Sequence, residues 1–111
     1  MVFAKKKWGQ NFLVDNNLLE KIIKTIDIKK DDEILEIGPG HGALSEKIIQ
    51  KTKTLKMVEI DNELIQVIGQ NPLLSPFEIF NQDILKTNLQ ELGLNNPKVI
   101  GNIPYLSLIH I

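Results

Sequence analysis

The stretch EILEIGPGHGALS at residues 33–45 constrains this chain more than any other. Ile34, Leu35 and Ile37 form a short apolar run that ends at Gly38. Gly38, Gly40 and Gly42 then alternate with other residues, and a helical pattern opens at Ala43. A strand that turns through glycines into a helix begins a βαβ unit. Its turn lets the backbone approach a ligand more closely than a Cβ would permit. Pro39 stiffens that turn by fixing φ.

The rest of the sequence repeats the alternation. Leu18, Leu19, Ile22, Ile23 and Ile26 have helical spacing over 15–26, with Asp15 or Asn16 as the cap. Strands are expected at 33–38, 54–61, 77–83 and 98–103. Helices are expected at 43–51 and 62–70, the second ended by Gly69 and Asn71-Pro72, with a short one near Leu89 to Leu92. Strands separated by helices of this length imply a parallel α/β sheet. Four strands are about half of a doubly wound sheet.

Composition is that of an ordinary globular chain, with 42% hydrophobic and 24% charged residues. No apolar run has the length of a membrane span, and MVFAKKKWGQNF lacks the apolar core of a secretory signal. With no cysteine, thiolate metal sites and disulfides are excluded. These features predict a cytoplasmic protein with no membrane partner. The net charge of −1 gives no global attraction to a polyanion, so a nucleic-acid partner needs a local basic patch. All 13 basic residues are lysine, which reads as codon bias.

Glu59 ends the second expected strand, roughly 20 residues beyond the loop, where an acid accepts ribose hydroxyls. Gly38, Gly40 and Ala43 also fit the dinucleotide pattern. Two features favour S-adenosylmethionine instead. Glu36, inside the strand end, suits a cationic ligand better than a pyrophosphate. Polar groups also end the later strands, as Asp83 and Asn102, and such a row at the carboxyl ends of strands is where α/β sheets bind ligands.

GNIPY at 101–105 suits methylation of a planar amine. The Asn102 side-chain oxygen and a carbonyl near Ile103 or Pro104 would accept both N–H groups and free the nitrogen lone pair. Each bond is worth about 1 kcal/mol. Tyr105 would stack on the base. Taken alone, the same residues are an ordinary strand-ending turn.

With these motifs in order, the chain resembles the ribosomal RNA adenine dimethyltransferases of the bacterial small-subunit dimethyladenosine transferase type, from about Lys7 to Tyr105. GQNFL at 9–13 is similar to the family's N-terminal motif, EIGPGHGALS to its cofactor loop, VEID to its ribose-binding segment, NQDIL to its adenine-binding segment and NIPY to its catalytic motif. The resemblance implies an incomplete Rossmann-like methyltransferase fold. It implies two successive methyl transfers from S-adenosylmethionine to each of two adjacent adenines of small-subunit rRNA. It assigns Asn102, Pro104 and Tyr105 to catalysis, and Asn11, Leu13, Glu36, Gly38, Gly40, Glu59, Asp83, Ile84 and Asn102 to the cofactor.

The expected organisation is an arm over 1–14 and a partial catalytic domain over 15–111, without the family's helical C-terminal domain. The whole protein is expected to be monomeric, and this fragment alone inactive. Leu106 to Ile111, LSLIHI, break the family pattern after Tyr105. They match the translation of the transposon-end adapter CTGTCTCTTATACACATC, which predicts a non-native tail; the alternative is a real helix start with Ser107 displaced by one deletion. Other functions compatible with the residues are an antibiotic-resistance-type large-subunit rRNA methylase, a protein glutamine methyltransferase and a non-catalytic rRNA-binding assembly or transcription factor. Lys5 to Lys7 and Trp8 would touch RNA or simply form and pack the arm. His41 reads as a non-catalytic loop residue.

Overall fold

A computed structural model of the protein describes residues 16–101. The first helix, α1 (Asn16–Ile26), buries Leu19, Ile22 and Ile23, which share one face at helical spacing. It closes at Asp27, whose φ of 54° continues a bond from its N–H to the Ile23 carbonyl at 3.2 Å. The Lys98 ammonium donates to the Asp27 carbonyl at 3.0 Å and pairs with Asp32 at 2.8 Å, which ties the end of α1 to the last strand.

Four strands follow: β1 (Glu33–Ile37), β2 (Thr54–Val58), β3 (Glu78–Phe80) and β4 (Lys98–Gly101). Two helices, α2 (Ala43–Ile48) and α3 (Asn62–Gln70), join the first three. All pairings are parallel and the order is β3-β2-β1-β4. This is the α/β parallel sheet that the alternating sequence predicts. The chain reverses direction across the sheet between β3 and β4, so the crevice beyond the carboxyl ends of β1 and β4 is a topological switch point.

Alternation along the strands divides the core. Ile34, Leu55, Met57 and Ile100 pack with Leu19, Ile22, Ile23, Leu44, Ile48, Ile68 and Leu74 on the helical face. Leu35, Ile37 and Val58 face the other way, against Ile84, Leu92 and Leu94. These last three belong to a segment with two 3-10 turns, Ile84–Lys86 and Leu89–Leu92, where the sequence pattern suggests one short helix. Each turn has its own cap, Asp83 and Asn88, and these break the segment in two.

Several elements are shorter than expected, for local reasons. β2 stops at Val58 because Asp61 caps α3, its carboxylate accepting from Glu63 at 2.8 Å. β3 stops at Phe80 where the Asn81 amide turns back to the Glu59 carbonyl. α2 ends at Ile48, whose carbonyl accepts from both Lys51 and Thr52. Gly69 does not end α3; the helix continues to Gln70 and Asn71 is its cap.

Candidate cofactor site

The loop after β1 is held at three points. Gly38 donates to the Val58 carbonyl at 2.9 Å, which carries the β1–β2 ladder one residue past the strand. Gly42 donates to the Pro39 carbonyl at 3.0 Å and closes the turn, and Glu46 donates to the Gly42 carbonyl at 2.9 Å and starts α2. Gly40 and Gly42 need to be glycine for different reasons. Both have positive φ, 61° and 91°. A Cβ on Gly40 would meet nothing within 4 Å, whereas one on Gly42 would collide with Leu74 and press on Ile68. Gly40 therefore borders open space, and Gly42 is packed against the core.

Glu59 lies just beyond β2. Its N–H donates to the Phe80 carbonyl at 2.9 Å, and its side chain is only 5% exposed. Oε2 accepts the Asp61 N–H at 3.1 Å. Asn81 supports the same corner through bonds to the carbonyls of Glu59 and Ile60, at 3.0 and 3.3 Å. A cavity at these strand ends is lined by Ile37, Gly38, Val58, Glu59, Ile60, Gln82 and Ile84. The buried Glu59 carboxylate, set among Ile37, Val58, Ile60 and Ile84 with Gln82 beside them, provides a polar anchor in a shallow, mostly apolar groove.

Gly38, Glu59 and Ile84 thus come together at the cavity, and Gly40 stands at the crest of the adjoining loop. Asp83 sits beside the cavity. Its Oδ1 accepts from the Leu85 N–H at 2.9 Å and caps the 3-10 turn. Glu36 lies behind the loop, 1% exposed. The Ser45 hydroxyl of α2 donates to its Oε1, and Oε2 is buried with no partner among the described residues. Burial pushes the Glu36 carboxyl up to about 7; the Ser45 bond opposes this and the Glu59 charge adds to it. Asn11, Leu13, Asn102, Pro104 and Tyr105 lie outside the described residues, as do Lys5 to Lys7, Trp8 and Leu106 to Ile111.

Four residues of this region escape a reading of the sequence. Ile60 lines the cavity and is 54% exposed, an apolar side chain placed past its strand. Gln82 lines the same cavity, and its amide is held by Thr87 at 2.8 Å. Asn81 and Ser45 act from behind. Only Ile60 carries a usable signal, as an apolar residue between two acids.

Residues 1–108 match the family described as ribosomal RNA adenine dimethylase. The chain belongs to this family. Among adenine dimethylase relatives, the ribosomal RNA small subunit methyltransferase A of Malacoplasma penetrans is 41% identical over 104 residues, covering 93% of this chain and 38% of that protein. The Ureaplasma parvum protein of the same name is 44% identical over 108 residues, covering 90% and 39%. The chain thus spans about two fifths of the length of these relatives. In three dimensions it is similar to a dimethyladenosine transferase from Plasmodium falciparum, with a TM-score of 0.68, 30% identity, and coverage of 85% of this chain and 34% of that one. It is also similar to the 23S rRNA methyltransferase ErmE, with a TM-score of 0.70, 26% identity, and coverage of 88% and 40%. Among the described residues no helix is long and apolar enough to cross a membrane.

Proposed function

We propose that the protein to which this chain belongs transfers methyl groups from S-adenosylmethionine to the exocyclic amines of two adjacent adenines in small-subunit rRNA, in the cytoplasm and as a monomer. The observation that carries this proposal is the buried Glu59 carboxylate at the cavity beside Gly38, in a chain of the adenine dimethylase family. The small-subunit assignment draws on the names of relatives above 40% identity, against 26% for the large-subunit enzyme. Residues 1–14 are taken as an arm and 15–111 as part of the catalytic domain.

The residues present fit the cofactor. Glu59 would accept its ribose hydroxyls. Ile60 and Ile84 would flank its adenine, with Asp83 and Gln82 at the polar edge. The open space at Gly40 would take its amino-acid end, with Glu36 behind the loop and Asn11, Leu13 and Asn102 as further contacts. When bound, it supplies an electrophilic methyl group on a sulfonium. The chain's own part in the reaction is to hold and orient the target. Asn102 and a carbonyl at Ile103 or Pro104 would accept the amine's N–H groups, and Tyr105 would stack on the base. Such positioning contributes about 7 kcal/mol or more to a two-substrate step.

The test is calorimetry of the full-length protein with S-adenosylhomocysteine and with NAD, followed by transfer of labelled methyl groups to immature small ribosomal subunits. Binding of the first ligand and dimethylation of two neighbouring adenines are expected. Tight NAD binding alone, or methylation confined to large-subunit RNA, would sink the proposal.

A further inference from the structure

Among the described residues, two polar side chains stand in the lining of the cavity, Glu59 and Gln82; Ile37, Val58, Ile60 and Ile84 are apolar. Glu59 suits the ribose, and the chemistry of Gln82 is set by its neighbours. Its Nε2 donates to the Thr87 hydroxyl at 2.8 Å, and that hydroxyl donates to the Asp83 carbonyl at 2.8 Å. A hydroxyl has one proton to give and a carbonyl has none. The Thr87 proton therefore goes to Asp83, and Thr87 Oγ1 is left to accept. The end of the amide at Thr87 must be its NH2 group, and Oε1 is the end turned away from Thr87. The turn that carries this relay is itself fixed. The Asp83 carbonyl also accepts the Lys86 N–H at 3.0 Å, and the Thr87 N–H donates to the Ile84 carbonyl at 3.2 Å. The Gln82 backbone is held too, its N–H donating to the Phe80 carbonyl at 3.1 Å.

We propose that Gln82 is a specificity residue for the cofactor's base and Thr87 its positioning residue: the Gln82 amide oxygen accepts from an exocyclic amine and turns away a base that carries a carbonyl there. This rests on the cofactor assignment above. A side-chain amide that is free to rotate offers a donor or an acceptor equally well, and so cannot tell an amine from a carbonyl. One that is locked by a neighbour offers a single chemistry. Adenine has an amine at its 6-position and hypoxanthine a carbonyl. Against Oε1 the amine makes a hydrogen bond, whereas the carbonyl sets two acceptors face to face and leaves both unpaired. Without the Thr87 hydroxyl the amide can turn end for end and offer Nε2, so discrimination is lost while binding is kept.

Calorimetry of the full-length protein with S-adenosylhomocysteine and with S-inosylhomocysteine, which carries the carbonyl, reads this as a ratio of two affinities. The native protein should prefer the adenosyl ligand by about tenfold or more. Gln82→Leu should cut that preference by about fivefold, the equivalent of one net hydrogen bond. Thr87→Val should cut it by a similar factor, chiefly by tightening the inosyl ligand, and Thr87→Ser should restore it. A role confined to bracing the turn would weaken both ligands together and leave the ratio as it was. An unchanged ratio in Gln82→Leu overturns the proposal and leaves the cofactor assignment intact. A ratio lost in Gln82→Leu but kept in Thr87→Val overturns the positioning role of Thr87. Failure of the native protein to bind S-adenosylhomocysteine overturns the cofactor assignment, and the proposal with it.

Discussion

The Asn81 amide donates to the Glu59 carbonyl at 3.0 Å, so the residue after β3 fixes the residue after β2. Asn81 does not itself line the cavity, but it holds the backbone that carries the Glu59 carboxylate. Asn81→Ala should therefore weaken S-adenosylhomocysteine binding by about 1 kcal/mol, the net worth of a hydrogen bond. Calorimetry measures this, and an unchanged affinity would mean that the strands alone set Glu59.

Glu59→Ala should cost more, about 1–3 kcal/mol of cofactor affinity, because it strands the ligand's buried hydroxyls. Glu59→Gln should retain part of that affinity. Alanine and glutamine variants with equal losses would show that charge, not hydrogen bonding, dominates at this corner.

The two inner glycines should separate folding from binding. Gly42→Ala forces a methyl group against Leu74 and Ile68 at a positive φ, so thermal unfolding should fall by several degrees. Gly40→Ala has only its backbone strain to bear, roughly 1 kcal/mol. It should fold and yet bind cofactor poorly, because the new methyl projects into open space. Calorimetry and melting curves on both variants check the contrast.

Glu36 makes stability depend on pH. Its carboxyl titrates at about 7 in the folded chain against an ordinary 4.5, so folding tightens its hold on the proton. Its contribution is fully present below about pH 4.5 and is lost as pH rises through about 7, amounting to roughly 3 kcal/mol. Asp32 acts in the opposite sense. The Lys98 side-chain bond, then the Lys29 backbone bond, hold its carboxyl below the usual range, so its contribution disappears as pH falls. Urea unfolding from about pH 5 to about pH 8 should show native stability declining, and the decline should be largely absent in Glu36→Gln.

Asn102→Ala in the full-length protein should lower methyl transfer far more than cofactor affinity, because its proposed partner is the reacting amine. Tyr105→Ala should follow it, and Tyr105→Phe should be milder. Single-turnover methylation beside calorimetry measures the split; equal losses would make Asn102 a cofactor residue only.

What the sequence made legible was local. A strand, a glycine turn and a helix in immediate succession predict the loop. The helical stripe of Leu19, Ile22 and Ile23 predicts the buried face of α1. Glu59 was visible because it ends an apolar run. The pairings behind the site join distant parts of the chain and have no periodic signature. Ser45 reads as one polar residue in a short helix, and nothing in its neighbours says that it meets Glu36 nine residues earlier. Leu74 sits in a proline-flanked stretch that looks like a surface loop, yet it is completely buried against Gly42. The ends of β2 and β3 were misjudged because Asp61 and Asn81 bond the backbone and compete with the ladder.

The wedge of Leu74 and Ile68 against Gly42 also has a kinetic consequence. The loop is shaped by the core and not by its guest, so little ordering remains for an arriving nucleoside to impose. Association should then be fast and nearly independent of temperature, and residence time should carry the differences between ligands. Trimming Leu74, which does not line the cavity, should convert this rapid capture into a slower encounter in which the loop must first find its shape.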